Sequence, residues 1–452
     1  MADHFKPLDR DTLFLMPPSV QEWIPEDHLA RFIVDVVAKL DLQPIRARYA
    51  GRGSAAYQPE MMVALLLYGY ATGVFSSRKL ERATYDSVAF RYITANQHPE
   101  HDTISDFRLR FLPQLEAIFA QVLLIASESG LLKVGRVSVD GTKIRANASK
   151  HHALSYGHAT KLERRIKAEV TRLMRRAAQA DSSDQNDGIN IPAELARREE
   201  RLLAIDEAKA RIREREQERI AAEQQAHQQR MAEREASERE TGKKIGGKPP
   251  KPPSRGIDAK AQINLTDEES RVMPSSDGMI QAYNAQATVD CASRMLVDSE
   301  VSQRATDRTL LAATVIALGQ LDPKIGIVTE ILADAGYYSA ANLDVCAQAQ
   351  IVPYIPNRRE RHAGGLQRFQ EPRALGPDAS LVDVTRHRLR TRGGRKIYGE
   401  RKSTIEPVFG VIKHILGFRQ FLLRGICKVQ SEWKIVTTAY NLKRMHKLGL
   451  AC

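Results

Sequence analysis

From residue 25 to about 130 the apolar residues recur three and four positions apart. They fall in four runs: DHLARFIVDVVAKL, PEMMVALLLYGYATG, SSRKLERATYDSVAFRYITA and TISDFRLRFLPQLEAIFAQVLLIASESG. That spacing lays an apolar stripe along one face of a helix. Several runs open with Ser, Thr or Asp, whose side chains cap the free amides of a first turn. An all-helical N-terminal segment is the expectation. At residue 136 the pattern shortens to β-like runs, RVSVDGTKIRANAS, MIQAYNAQATVD (279–290) and RMLVDSEVSQ (294–303). A helical DRTLLAATVIALGQL, a strand GIVTEILADAG, a helical SAANLDVCAQAQ and a strand IVPYIPN follow. Three strands in succession and then helix alternating with strand specify a mixed sheet with helices packed on it.

About a hundred residues interrupt the first and second of these strands. Segments 158–180 and 193–236 are charged, alanine-rich and helix-prone, and DSSDQNDGINIP between them is a loop signal. Leu195, Leu202, Ile205 and Ile212 fall at coiled-coil spacing, and Leu162, Ile166 and Val170 form a facing stripe. A helical hairpin is therefore expected, closed by a flexible basic linker, TGKKIGGKPPKPPSRG. The boundaries read 1–133 for the helical segment and 134–452 for the α/β core, with the coiled-coil-like insertion and linker at 151–258. With the insertion set aside, the order β-β-β-α-β-α-β-α is that of an RNase H-like core.

Charge narrows the partners. The chain carries 68 Lys and Arg against 55 Asp and Glu, a net +13 and a pI near 9.5, which suits a polyanion. Its longest apolar stretch, Met61–Phe75, is too short for a membrane span and is broken by Gly and Tyr, so nucleic acid is preferred to a membrane surface. The N-terminus lacks an export signal, and a cytoplasmic site is expected. Cys291, Cys346, Cys427 and Cys452 lack the close pairs of a zinc or redox motif. Two basic features suit phosphate backbone. One is the third helical run with Arg78, Lys79, Arg82 and Arg91, which reads equally as a solvated face. The other is RHRLRTRGGRKIYGERK (386–402), with eight Arg or Lys against Glu400, which reads as a loop.

Three carboxylates stand out in this setting. Asp140 and Asp334 sit where expected buried strands end, an expensive place for a carboxylate without a charged partner or a cation. Glu406 closes Ser403-Thr404-Ile405-Glu406, which matches a capping box and implies a helix opening at Ser403, with Pro407 in its first turn. That helix is amphipathic, with Ile405, Val408, Phe409, Ile412, Ile415 and Leu416 toward the core and Glu406 and Lys413 on the other face. In the mixed sheet the first strand is central and the fourth is beside it, so Asp140 and Asp334 meet at neighbouring strand tips. A few carboxylates so placed suit one or two Mg²⁺ ions, which bind phosphate oxygens as well.

The chain resembles a DDE transposase of bacterial insertion sequences, in the group usually numbered eleven eighty-two. The residues that carry the resemblance are VDGTKIRANAS (139–149), QAYNAQATVD (281–290), ADAGYYS (333–339) and RKSTIEPVFGVIKHILGFRQFLLRG (401–425), together with the helical N-terminal region. Related enzymes carry a Tyr-x2-Arg-x3-Glu-x6-Lys signature. Glu406 and Lys413 match it, Lys402 falls at the arginine position with Arg401 beside it, and Tyr398 is one residue upstream of the pattern. The resemblance implies that Asp140, Asp334 and Glu406 hold two Mg²⁺ ions, with Mn²⁺ as the substitute. It implies that Lys413, Arg401, Lys402, Arg395, Lys396, Arg392 and Tyr398 meet terminal phosphates, and that Arg78 and Lys79 of the N-terminal domain help bind the terminal inverted repeats. Cleavage at the element's ends, transfer of the freed 3′-hydroxyl to target DNA and a homodimeric synaptic complex at the nucleoid complete the expectation. An RNase H-like nuclease without strand transfer and a DNA-binding protein with decayed catalysis are the rivals.

Overall fold

The computed structural model describes residues 19–49, 56–180, 191–241, 251–252, 256–276, 278–357, 371–376 and 379–449. Most of the expected loop at 181–192 and of the basic linker at 241–256 lies outside the described residues. The chain forms two units, one from 1–144 with 284–452 and the other from 145–283.

In the first unit the N-terminal runs fold as helices, but as more pieces than the periodicity suggests. They are α1 (Leu29–Ala38), α2 (Gln43–Arg46), α3 (Pro59–Thr72), α4 (Ser77–Asp86), α5 (Val88–Ile93), α6 (His101–Arg110) and α7 (Leu112–Glu128). The third run breaks at Ser87, whose backbone is extended. The fourth breaks at Phe111, two residues before Pro113, where a proline is tolerated only near a helix start. His28 caps α1, its Nδ1 accepting from the Ala30 amide at 3.1 Å. Helix α3 is buried on all sides from Met62 to Ala71. It ends at Gly73, whose φ of +84° and close approach to the Leu416 carbonyl leave no room for a side chain. No single helix among the described residues is long and apolar enough to cross a membrane.

The sheet begins at β1 (Val134–Arg145). After the second unit, described below with β2, β3, β4 and two helices, the chain continues along β5 (Gly278–Asp290), β6 (Leu296–Ser302), α10 (Leu311–Gly319), β7 (Gly326–Ala333), α11 (Ala340–Gln348) and β8 (Val352–Tyr354). Strand order is β6-β5-β1-β7-β8. Strand β6 runs antiparallel to β5, and β7 runs parallel to both β1 and β8. Three strands followed by alternating helix and strand is the arrangement expected from the sequence.

Three helices complete the unit: α12 (Leu381–Arg390), α13 (Arg392–Gly410) and α14 (Ile426–Lys447). Helix α14 packs on α7, α3 and β6, and its Trp433 indole donates to the Gln286 carbonyl at 2.9 Å. It also buries Glu432 completely. That carboxylate accepts from the amides of Leu422 and Leu423, each at 3.0 Å, and from the Tyr70 hydroxyl at 3.4 Å. Arg108 reaches the same hydroxyl at 3.2 Å. Burial outweighs these donors and pushes the Glu432 carboxyl up to about 7.

The second unit contains β2 (Ala153–Ser155), α8 (Tyr156–Ala180), α9 (Ile191–Thr241), β3 (Gln262–Asn264) and β4 (Arg271–Ser275). Helices α8 and α9 pack together as the expected hairpin. Ile166, Ile205 and Ile212 are buried between them, with Leu162, Val170 and Leu202 alongside. Leu195 is not part of that cluster. The buried Lys209 pairs with Glu163. At the foot of the hairpin β2 and β3 pair antiparallel. Strand β4, not expected from the sequence, pairs antiparallel with the first residues of β5, Gly278–Ala282.

Candidate active site

The parallel register of β1 and β7 brings two of the acids together. Val139 pairs with Ala333, the last pair of the ladder, so Asp140, which lies inside β1 and not at its end as expected, stands beside Asp334, which directly follows β7. Each accepts from a nearby backbone amide. Asp140 Oδ1 accepts from the Gly141 amide at 2.8 Å, and Asp334 Oδ1 accepts from the Gly336 amide at 2.8 Å, capping a 3₁₀ turn over Ala335–Tyr337. Burial pushes the Asp140 carboxyl up to about 6, and the neighbouring charges of Asp334 and Asp307 add to this. The Gly141 amide and the Arg401 guanidinium oppose it. Two carboxylates this close need positive charge nearby.

Helix α13 supplies that charge and the third acid. Arg401 Nη1 lies 3.2 Å from Asp140 Oδ2, and its Nη2 lies 3.7 Å from Glu406 Oε1. The guanidinium also hydrogen-bonds Tyr398, whose hydroxyl is pushed up chiefly by burial. Asp140, Asp334, Glu406, Arg401 and Tyr398 therefore form one group. Glu406 is its exposed member, with 55% of its side chain accessible.

Three expectations about this segment are corrected. Ser403 does not open a helix: Thr391 caps α13, its Oγ1 accepting from the Gly394 amide at 2.9 Å, and Glu406 lies far inside. The hydroxyls of Ser403 and Thr404 instead donate to the Glu400 carbonyl at 3.0 and 2.8 Å, so there is no capping box. Pro407 is interior, which leaves the Ser403 carbonyl without its helical donor. The basic tract 386–402 is helical in α12 and α13, with a corner at Thr391. What holds it is tertiary: Arg136 of β1 meets Glu330 at 2.5 Å and Glu400 at 2.7 Å, while Arg388 donates to the Pro353 carbonyl at 3.0 Å. Ile415, expected in the core, is 68% exposed because a π turn over Val411–Ile415 adds a residue to the winding.

The other named cations divide by location. Lys413 turns back to β1, its Nζ meeting Thr142 Oγ1 at 2.5 Å and the Lys143 carbonyl at 3.0 Å, so it stands beside the strand that carries Asp140. Arg392, Lys396 and Lys402 are exposed on α13, and Arg395 is half-buried. Arg78 and Lys79 are exposed on α4, and among the described residues neither shares a hydrogen bond or ion pair with this site.

A polar cluster that the sequence reading missed backs the site. Asp307 Oδ1 accepts from Asn284 at 2.7 Å and from Gln286 at 2.9 Å, with Lys143 Nζ at 3.6 Å. The buried Tyr337 hydroxyl donates to Gln286 Oε1 at 2.5 Å and is held well above its ordinary value, first by burial and then by the three aspartates. Gly141 lets these groups approach: a Cβ there would lie 2.1 Å from Gln286 Nε2 and 2.7 Å from Asp307 Oδ1. Asn284 and Gln286, two polar residues on one face of a buried strand, were a readable signal. Asp307, in the stretch before α10, was not.

Among the described residues no three His, Cys, Asp or Glu side chains converge closely enough to enclose a metal ion. The donor chemistry nonetheless fits a hard divalent cation. All three acids offer oxygen only, two of them are adjacent, and a guanidinium already occupies the position between Asp140 and Glu406 where positive charge is needed.

Two family models match the chain. Residues 18–110 match a transposase domain (DUF772), and residues 374–446 match a transposase DDE domain. The second match spans Arg401, Glu406 and Lys413 and begins after Asp140 and Asp334. No curated protein and no solved structure matches the chain.

Proposed function

We propose that this chain, a DDE transposase of insertion-sequence type by the family matches at its two ends, binds the terminal inverted repeats of its element. On this reading it then carries out Mg²⁺-dependent strand cleavage and strand transfer on an RNase H-like core. The observation that supports the reading most is the β1–β7 register, which sets Asp140 beside Asp334 while Arg401 ties Asp140 to Glu406.

Asp140, Asp334 and Glu406 would hold the divalent ions that DDE domains use as a class, two Mg²⁺ in this reading. When bound, such ions polarise the scissile phosphate and generate the attacking oxygen. The chain's own residues do the rest. Arg401 holds Asp140 and Glu406 against mutual repulsion and is placed to take a phosphate oxygen. The exposed Arg392, Lys396 and Lys402 follow the strand backbone from α13, and Arg395 and Lys413 flank it. Gly141 and the amides of Asn284 and Gln286 hold the floor of the site rigid, so the carboxylates keep their positions as DNA enters. The domain division at 1–133 and 134–452, with Arg78 and Lys79 on the repeat-binding side, belongs to the same proposal. So do a homodimer at synapsis and a location at the nucleoid.

The test uses duplexes made from the DNA that flanks the gene, with labelled ends and Mg²⁺. Asp140→Asn and Asp334→Asn should abolish cleavage and retain binding in a gel-shift assay, and cleavage at the wild-type rate by either variant overturns the assignment. A pre-cleaved 3′-hydroxyl end that joins to target DNA separates the transposase from a nuclease of the same fold.

A further inference from the structure

Between β6 and α10 the chain places Asp307 against the elements that carry Asp140 and Asp334. Its Oδ1 accepts from Asn284 Nδ2 at 2.7 Å and from Gln286 Nε2 at 2.9 Å. The same two nitrogens also donate elsewhere, Asn284 to the Arg304 carbonyl and Gln286 to Asn284 Oδ1, each at 3.0 Å. Gln286 Oε1 in turn accepts from the buried Tyr337 hydroxyl at 2.5 Å. Tyr337 closes the 3₁₀ turn that Asp334 caps, and its carbonyl shares Asn342 Nδ2 with the carbonyl of Arg308, next to Asp307, at 2.6 and 2.7 Å. On β1, Gly141 donates its amide to Asp140 and lies against the same network, since a Cβ there would collide with Gln286, Asp307 and Asn284.

The network has one consistent orientation, and the acid sets it. A carboxylate only accepts, so both amides must turn their NH₂ groups toward Asp307. Reversing either amide would set its oxygen against Oδ1. Reversing Gln286 would also remove the acceptor of the Tyr337 hydroxyl. Asn284, Gln286 and Tyr337 are buried, so a bond lost among them is not replaced by bulk water. Lys143, three residues beyond Asp140 on β1, stands 3.6 Å from Asp307 Oδ1 as its counter-charge. The strand under Asp140 and the turn under Asp334 are thus tied to one acceptor.

We propose that Asp307 is a positioning residue for this pair. By orienting Gln286 it holds Gly141 on one side and Tyr337 on the other, and so fixes the spacing at which Asp140 and Asp334 present their oxygens to a divalent cation. The proposal rests on the reading of the two aspartates as metal ligands, and adds to it a residue that meets neither metal nor DNA. Groups behind metal ligands set the ligands' orientation, and their loss typically costs about 10–100-fold in affinity or activity.

The experiment measures, on the full chain, Mn²⁺ binding by electron paramagnetic resonance and cleavage of flanking-DNA ends at saturating DNA. Asp307→Leu, similar in size but without an acceptor, should bind end DNA as wild type does, while Mn²⁺ affinity and cleavage rate each fall about 10–100-fold. Asp307→Asn keeps an acceptor but also admits the reversed network, so it should stand between the leucine variant and wild type. An Asp307→Asn protein as inactive as Asp140→Asn would make Asp307 a ligand and overturn the positioning role. Tyr337→Phe removes only the far hydroxyl and should weaken Mn²⁺ binding and cleavage in the same direction. Combined with Asp307→Leu it should add nothing, because both changes cut one chain of bonds. Independent, additive losses overturn the proposal. Should Asp307→Leu fail to fold, Tyr337→Phe alone decides. Wild-type Mn²⁺ affinity and cleavage in the folded variants overturn the positioning role and leave the transposase reading standing. A chain whose Mn²⁺ binding weakens in the variants, but which cuts no end DNA, overturns the transposase reading alone.

Discussion

Glu432→Gln should remove a pH-dependent loss of stability, and its size follows from the structure. The carboxyl is fully buried on α14 and titrates near 7 instead of 4.5. Because the folded value is raised, the folded state binds the proton more tightly than the unfolded chain does. The group therefore costs nothing well below pH 4.5, and it destabilises increasingly as pH rises toward 7, with the full cost above that. At 1.36 kcal/mol per pH unit that amounts to roughly 3 kcal/mol, most of which accrues between pH 5 and pH 8. Glutamine keeps the geometry: its oxygen can accept from the Leu422 and Leu423 amides, and its NH₂ can donate to the Tyr70 hydroxyl. Urea denaturation of both proteins at the two pH values isolates the effect, since every other titrating group cancels. The variant should gain roughly 2–3 kcal/mol on wild type between pH 5 and pH 8. A relative change under about 0.5 kcal/mol, well below what such a shift requires, would refute the reasoning.

Three further outcomes are expected. Glu406→Gln should leave α13 intact by circular dichroism and thermal melting, because the residue caps nothing, while end cleavage is lost; normal cleavage would remove Glu406 from the site. Gly141→Ala should destabilise the fold by about 1–3 kcal/mol, the usual cost of overpacking, because its Cβ would fall 2.1 Å from Gln286 Nε2; an unchanged melting temperature would contradict the packing. Replacing Lys396 and Lys402 together by Ala should lower the salt slope of DNA binding by about 2, near 0.9 per phosphate contact, and an unchanged slope would place the DNA elsewhere.

Legibility in the sequence followed the range of the forces involved. The strands β1, β5, β6 and β7 were readable because burial writes a periodic pattern into the chain, and Asp140 and Asp334 were readable as charges interrupting that pattern, although β1 runs on past Asp140 to Arg145. The hairpin stripe from Leu162 to Val170 and from Leu202 to Ile212 was readable for the same reason. Helix α13 was not. Its first half has few apolar residues, three glycines and a run of like charges, and it is held by Arg136 reaching Glu330 and Glu400 from elsewhere in the chain. The capping-box reading failed for the related reason that a local motif is ambiguous until the upstream residues are known to be helical. The break at Ser87 and the π turn that exposes Ile415 likewise depend on packing partners that a single segment does not reveal. Asp307 gave no signal, since an aspartate before a helix is ordinary until Asn284, Gln286 and Lys143 are found around it.

The small pairing of β2 with β3 has a consequence of another kind. Ala153–Ser155 and Gln262–Asn264 run antiparallel, and just beyond them the Tyr156 amide donates to the Ala261 carbonyl at 2.9 Å. The hairpin thus leaves and re-enters the chain through a clasp whose two sides are already joined. Leu154 and Ile263 of the ladder are buried in one cluster with Ile166, Ile205 and Ile212 of the helices, so the arm and its foot share one apolar core. An arm so rooted can be lengthened or shortened beyond that cluster while its foot stays covered.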